Sequence, residues 1–489
     1  MMNDRGKSDR FIVPEKPPNK ADSHAAEVVE ERDRAKGNSP KRDKPWTLSQ
    51  PGLPSALERV GQAARQDKKL RFTSLMHHIY DVGRLRKAYD AVKRDAAAGI
   101  DGETWQHYGE KLKENLQDLS GRLARGAYRA RPVRRAYIEK ADGRKRPLGV
   151  PVLEDKIVQR SAVEVLNAIY EEDFLGFSYG FRPGRSQHQG LDAVAYGMWK
   201  KMVKWILDAD LQSFFDTLRH DWLVKFLEHR IADRRVIQLI QKWLNAGVLE
   251  DGKRMSSEIG TVQGGSISPL LANLYLHYVL DLWIEQWRNT KAKGEVMIVR
   301  YADDFVAGFQ HRKEAEQLLE ALRERLAQFG LKLHPEKTRL IEFGRFAVQD
   351  RKARGEGKPE TFNFLGFTHY CGVDERGKFT VVRKTMRQRM LKKLKAVRLE
   401  LQRRRHQPIP EQGSYIQAVI RGHVNYYGVP LNSRAIQTFR YWVIRLWQKW
   451  LSRRSQKGYV NWGRMQRYIE RWVPAAVICH PYPSARFGG

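Results

Sequence analysis

A chain of 489 residues is long enough for two or three domains with their own cores, and an apolar share of 41% is ordinary for a globular protein. The charge is not ordinary. Lys and Arg number 89 against 56 Asp and Glu, a formal net charge of +33 that excludes a charge-balanced scaffold and calls for a polyanionic partner, because phosphate neutralisation releases counterions. Charge alone leaves a ribosome-bound or membrane-surface basic protein open, but 13 Trp and 19 Tyr point to folded basic surfaces on which bases stack. Cys371 and Cys479 stand far apart without partners at metal spacing, which argues against a disulfide framework or a Cys-ligated zinc and for a reducing compartment. No run of about 18 apolar residues predicts a transmembrane helix.

In chain order, Met1 to about Lys44 mixes charge with Pro, Gly and Ser and has no apolar signal-peptide core, so residues 1–55 read as a disordered arm. From Leu53 to Asp95 apolar residues fall at helical spacing, as at Leu75, Ile79, Val82 and Leu85, until Gly99 and Gly102 break the pattern. Arg134 to Ile138 predicts a strand, with Asp142-Gly143 as its hairpin turn. Val158, Ala162, Val165, Leu166 and Ile169 predict a helix over Asp155 to Phe174. Val203 to Asp210 predicts a strand, followed by helices through Leu244.

Val296 to Phe309 is the clearest hairpin: two apolar runs meet at Ala302-Asp303-Asp304. An amphipathic helix is expected over Arg312 to Phe329, and another hairpin from Phe362–Tyr370 and Lys378–Val382 across Asp374 to Gly377. Met386, Met390, Leu394, Val397 and Leu401 then line one face of a helix whose other faces are basic. A second helical region carries Phe439, Trp442, Val443, Leu446, Trp447 and Trp450, whose tryptophans at this spacing read as core. The change of character places a domain boundary near 380.

Two acidic elements carry the chemistry. Asp303 and Asp304 at a hairpin tip project beyond the sheet, where a divalent ion can reach them, although Asp is also common in turns for local hydrogen-bonding reasons. In Trp-Ile-Leu-Asp208-Ala-Asp210 the period of two puts both carboxylates on one strand face, and periodicity does not choose between them. Two such pairs brought together repel unless cations bridge them, and an all-oxygen ligand set suits Mg²⁺. Two ions so held suit an in-line displacement at phosphorus.

These segments resemble those of group II intron reverse transcriptases, from about Phe72 to the C-terminus. Asp210-Leu-Gln-Ser-Phe-Phe215-Asp resembles the first catalytic motif of that family, and its register selects Asp210 over Asp208. Tyr301-Ala-Asp303-Asp304 is similar to the second catalytic motif, and Gly260-Thr-Val-Gln263-Gly264-Gly265-Ser-Ile-Ser-Pro269 to a signature segment between them. The resemblance implies an α+β right-hand polymerase, with fingers and palm over 56–380 and a helical thumb and maturase region over 381–489. It implies an RNA-directed DNA polymerase that adds dNTPs to a primer 3′-OH, with two Mg²⁺ on Asp210, Asp303 and Asp304.

Further roles follow from the same resemblance. Lys140 and Arg146, in a segment like the fingers hairpin, are expected to hold the triphosphate, with Lys145 as a competitor. Gln263 is expected near the incoming nucleotide, and Phe215 under its sugar, excluding a 2′-hydroxyl. Phe177-Ser-Tyr-Gly-Phe-Arg182-Pro-Gly-Arg185 resembles a template-contacting segment, with Arg182 and Arg185 on phosphate; Lys392, Lys393, Arg403 and Arg404 of the thumb are expected to do the same. Phe362-Asn-Phe-Leu-Gly366-Phe resembles the last palm motif, and Gly422 to Gly428 the maturase portion. The implied partners are an RNA template, a group II intron RNA that the protein would help splice and move, a DNA primer or target, and dNTPs, with no membrane. The expected location is the bacterial cytoplasm at the nucleoid. The C-terminal stretch shows no cysteine pairs or His/Asn cluster, so the endonuclease domain of many relatives is not expected. A free-standing relative used in DNA repair or phage defence, a non-catalytic RNA-binding splicing factor and an RNA-copying RNA polymerase remain as alternatives.

Overall fold

In the computed structural model, residues 55–487 are described, apart from 140–144, 251–252, 256–259, 261–263, 375–376 and 456–457. The arm expected over 1–55 therefore lies outside the described residues but for Ser55, whose hydroxyl caps the helix Ala56–Gln66 by accepting from Glu58 N–H. The single helical pattern expected from Leu53 to Asp95 divides into three helices, Ala56–Gln66, Met76–Ile79 and Val82–Asp90. Phe72 leaves the helical path to bridge Ile231, and the Asp81 carboxylate restarts the helix by accepting from Arg84 N–H at 2.8 Å.

Eleven strands are described: β1 (Val133–Glu139), β2 (Lys145–Val150), β3 (Trp205–Asp210), β4 (Val248–Glu250), β5 (Lys253–Met255), β6 (Val296–Tyr301), β7 (Asp304–Phe309), β8 (Arg339–Glu342), β9 (Phe362–Phe364), β10 (Phe367–Val373) and β11 (Phe379–Thr385). They form three sheets, ordered β2-β1-β4-β5, β6-β7-β3-β8 and β11-β10-β9. The hairpin expected around Asp142-Gly143 is β1–β2, whose turn lies outside the described residues.

The central sheet separates two cores because side chains alternate along a strand. Leu207, Ala209, Ile298, Phe305 and Ala307 enter one core, together with the helix Leu153–Tyr170. Ile206, Met297, Val299 and Val306 enter the other, which continues into the helix Gln187–Lys200 and the third sheet. Asp208 and Asp210 share the Ile206 face by the same alternation.

The segment Phe362 to Tyr370 is two strands rather than one. Leu365 and Gly366, at φ 47° and 82°, reverse the chain between β9 and β10. β10 then pairs with β11 as far as Phe367↔Thr385, so the boundary expected near 380 falls inside a strand, and the chain turns helical only at Arg387.

Beyond it lie the helices Arg387–Arg403, Ile409–Tyr427 and Ser433–Leu451 around a third core. Val397 and Leu401 are buried as the spacing predicts, and so are Trp447 and Trp450. Trp442, also expected in the core, is 49% exposed. Trp447 Nε1–H donates to Gln412 Oε1 at 3.1 Å, and Gln412 in turn donates to the Arg404 and Gln407 carbonyls at 2.9 and 3.1 Å, pinning the loop between the first two helices. The tail returns to the central body: Cys479 and His480 N–H both donate to Gly428 O, and Arg486 pairs with Asp192 at 2.8 Å. No helix among the described residues is long and apolar enough to cross a membrane.

Truncating a buried Trp removes both its packing and a satisfied hydrogen bond. Trp447→Ala is expected to destabilise the protein by about 3–5 kcal/mol, whereas Trp442→Ala stays within about 0.5 kcal/mol of wild type, both read by denaturant unfolding.

Candidate active site

β3 ends at Asp210 directly opposite Asp304, the first residue of β7. The β6–β7 turn places Asp303 beside them, and it is made possible by Ala302 at φ 56°, in the left-handed region. Asp210 and Asp303 line a cleft of about 480 Å³ shared with Pro147, Phe181, Phe215 and Gly264. The sequence-predicted acids thus come together at one mouth. Asp208 does not line the cleft; its carboxylate lies 3.7 Å from Arg339 of β8, and burial pushes its pKa up to about 6.

The turn is held from beneath by Arg300, which is 1% exposed. Its guanidinium donates to Asp281 at 2.7 Å, to Asn273 Oδ1 at 3.1 Å, to Ser178 Oγ at 2.7 Å and to the Ala302 carbonyl at 3.0 Å. Asp281 is completely buried at the end of a π-helical turn, His277–Asp281, a local widening that often marks functional positions. Burial raises the Asp281 pKa, and Arg300 opposes that shift. Gly180 completes the cradle: Asn273 donates to its carbonyl at 2.6 Å, and a Cβ there would stand 2.3 Å from Ala302 N. Sequence reasoning missed Arg300, Asp281 and Asn273. The available signal was a charge inside the apolar run Val-Met-Ile-Val-Arg300, since buried charges are rare unless paired.

Electrostatically the mouth is overcrowded with carboxyls. Loss of water around the carboxyl, then Asp303, then the hydrogen bond and charge of Asp210 push Asp304 up to about 8; the residue as a whole is exposed, so the neighbouring carboxylates are the firmer cause. Lys337 acts in the opposite direction, its ammonium resting on the Asp210 carboxylate. It is delivered by a loop whose His334 N–H donates to the Asp210 carbonyl at 2.8 Å. Among the described residues no three acidic, His or Cys side chains form a ready-made metal cage. The donor set nevertheless fits a hard divalent ion, because Asp210, Asp303 and Asp304 bring carboxylate oxygens to one place.

Other expected positions fall as follows. Phe215 lines the cleft, partly buried and edge-on to Phe214 at 5.4 Å. Gly264, at φ 118°, lies so close to β2 that a Cβ would meet the Gly149 carbonyl at 2.5 Å, so the signature loop abuts the first sheet by backbone alone. Lys140 and Gln263 lie outside the described residues; Arg146 sits on β2 opposite Ile138, its side chain and that of Lys145 likewise outside them.

Arg182 is corrected. Its guanidinium is buried, donating to the Leu175 and Ser178 carbonyls at 2.8 and 2.7 Å and to Glu171 at 3.0 Å, so it braces its own loop rather than facing phosphate. Arg185 is half-buried, with one nitrogen donating to Gly176 O at 3.0 Å. Lys392 and Lys393 are exposed on their helix, but Arg403 and Arg404 both converge on Glu400, which neutralises part of their charge.

Arg300→Met leaves Asp281 buried without its partner and is expected to destabilise by about 3–5 kcal/mol. Arg300→Met with Asp281→Leu should recover much of that stability in thermal unfolding, since both charges are then gone.

A profile of the family described as reverse transcriptase (RNA-dependent DNA polymerase) matches residues 138–369. Protein YkfC of Escherichia coli (strain K12) is 33% identical over 335 residues, covering 60% of this chain and 87% of that protein. A 91 kDa protein in the cob intron of Schizosaccharomyces pombe is 30% identical over 374 residues, 64% of this chain and 45% of that one. The group II intron-encoded protein LtrA of Lactococcus lactis subsp. cremoris is 35% identical over 235 residues, 47% of this chain and 38% of that one. The match thus spans less than half the length of these last two relatives. A carboxylate pair opposed across a central sheet, with a third at the adjoining turn, accords with these likenesses, and the chain belongs to the reverse transcriptase family, among the group II intron reverse transcriptases and maturases.

Proposed function

We propose that the protein is an RNA-directed DNA polymerase that extends a primer 3′-OH with dNTPs on an RNA template. The observation that carries this reading is the register Asp210↔Asp304 at the end of the central sheet, with Asp303 at the same mouth of an open cleft. Asp210, Asp303 and Asp304 would hold two Mg²⁺, which when bound activate the primer hydroxyl and steady the leaving pyrophosphate. The central sheet then serves as palm, the β2-β1-β4-β5 sheet as fingers and the helix Arg387–Arg403 as the start of a thumb.

The chain's own residues divide the work. Lys337 holds the Asp210 carboxylate in an ion pair at the cleft edge, and would have to yield it for Asp210 to serve as a metal ligand. Phe215 forms the floor under the sugar, where a 2′-hydroxyl would collide. Lys140, Arg146 and Gln263 bind the triphosphate and base of the incoming nucleotide. Arg300 keeps the acidic turn from drifting, which matters because a displacement of about 1 Å at a reacting centre lowers rates about 100-fold.

A second role, binding a group II intron RNA to assist its splicing and mobility, is favoured by the surface of the C-terminal helices. Trp442 and Trp462 are about half exposed, and Arg445 lies over the Trp462 ring at 5.3 Å. Such an aromatic and basic surface suits single-stranded RNA.

Asp303→Asn should abolish primer extension on RNA while leaving RNA affinity within about twofold, since one carboxylate adds little to many basic contacts. Extension at near wild-type rate with Mg²⁺ would sink the assignment. Lys392→Gln with Lys393→Gln should lower the slope of log K against log salt by about 0.7–0.9 for each phosphate that is no longer neutralised. Arg403→Gln with Arg404→Gln should change it less, because Glu400 already holds both guanidinium groups.

A further inference from the structure

Phe181 combines two local penalties, offset among ring contacts of the described residues only by a tilted approach to Tyr301. Its backbone is left-handed, at φ 59°, a conformation that suits Gly or Asn and costs a bulky residue about 1–3 kcal/mol. Its ring is 52% exposed, and it is the one large apolar side chain among the described cleft-lining residues that is so exposed. Both neighbours are fixed. The Gly180 carbonyl is held by Asn273 and its Cα lies against Ala302, while Arg182 is anchored to Leu175, Ser178 and Glu171. Between these two anchors Phe181 lines the cleft that holds Asp210 and Asp303.

The ring is also placed with respect to the acidic turn. It lies 6.2 Å from the ring of Tyr301, the residue that leads into the acidic turn, and is tilted to it by 48°. An exposed ring on an over-determined backbone, beside carboxylates and within a basic protein, suits a planar uncharged ligand group. Nucleobases are such groups, and stacking is sequence-tolerant because every base has a π-face.

We propose that Phe181 is a fixed stacking platform for a nucleobase at the catalytic mouth, supplied by either the primer terminus or the templating position. The proposal rests on the polymerase reading, and it names a contact that the acidic motifs do not. Backbone strain is retained because it aims the ring; a relaxed residue at the same place would leave the base unsupported.

The test is equilibrium binding of the full chain to a DNA primer annealed to RNA, without dNTPs, so that the readout is independent of synthesis. Each substrate is prepared intact, with a tetrahydrofuran abasic residue at the primer 3′ end, or with one at the first uncopied template position. Phe181→Gly is the main variant, because Gly takes the left-handed backbone without penalty and the fold should melt no lower than wild type. Phe181→Tyr keeps a ring. Wild type and Phe181→Tyr should lose on the order of 10-fold in affinity when the stacked base is removed. Phe181→Gly should bind the intact substrate that much more weakly and lose nothing further in that arm. The arm that shows this loss of sensitivity, primer or template, identifies the base. If Phe181→Gly responds to base removal in both arms as wild type does, the platform is ruled out. A protein that shows the coupling yet never extends a primer would overturn the polymerase reading alone.

Discussion

Arg300 and Asp281, 1% and 0% exposed, form the ion pair on which the geometry of the acidic turn depends. A pair so buried adds little net stability, because the desolvation of both ions offsets their attraction. What it adds is position. The fork of a guanidinium reaches a helical stretch through Asp281 and Asn273, a loop through Ser178 and its own turn through Ala302 O, so three segments meet on one rigid plane. Asp303 and Asp304 cannot move relative to β3 without breaking hydrogen bonds in a region closed to water, where an unmet donor is expensive.

The rigidity explains how carboxyls can be kept closer than they would choose. Asp304 has its pKa pushed up to about 8 by lost water and by Asp303 and Asp210, and the Lys337 ammonium is the charge that partly relieves it. The scaffold therefore gathers like charges at the cleft mouth, a setting that suits a divalent cation. Lys337 is more than half exposed and borne on a loop, so it can leave Asp210 without disturbing the core.

Close backbone approach is the second device. Gly180 rests on the acidic turn and Gly264 on the Gly149 carbonyl, and in each place a methyl group would collide. These two contacts tie the acidic turn to its supporting loop and the signature loop to the first sheet without any side chain between. The same tightness forces Phe181, between Gly180 and Arg182, into a conformation that a Phe rarely adopts.

The acidic motifs, the hairpin that bears Asp303 and Asp304 and the strand that bears Asp210 were legible in the sequence, because alternation and turn chemistry are local properties. Alternation alone did not choose between Asp208 and Asp210, which lie on one face; the motif resemblance selected Asp210, and in the fold Asp208 faces Arg339 of β8 while Asp210 lines the cleft beside Lys337 of the preceding loop. Likewise nothing in Arg182 or Trp442 alone reveals that the arginine is inside and the tryptophan outside. A guanidinium can satisfy carbonyls of its own loop or phosphates of a ligand, and an indole on an amphipathic helix can fall on either side of the buried stripe. By itself the sequence determined which carboxylates stand at the tips of the strands; which charges were turned inward to hold those tips was decided by tertiary structure, since burial and pairing depend on segments that meet only when the chain is folded.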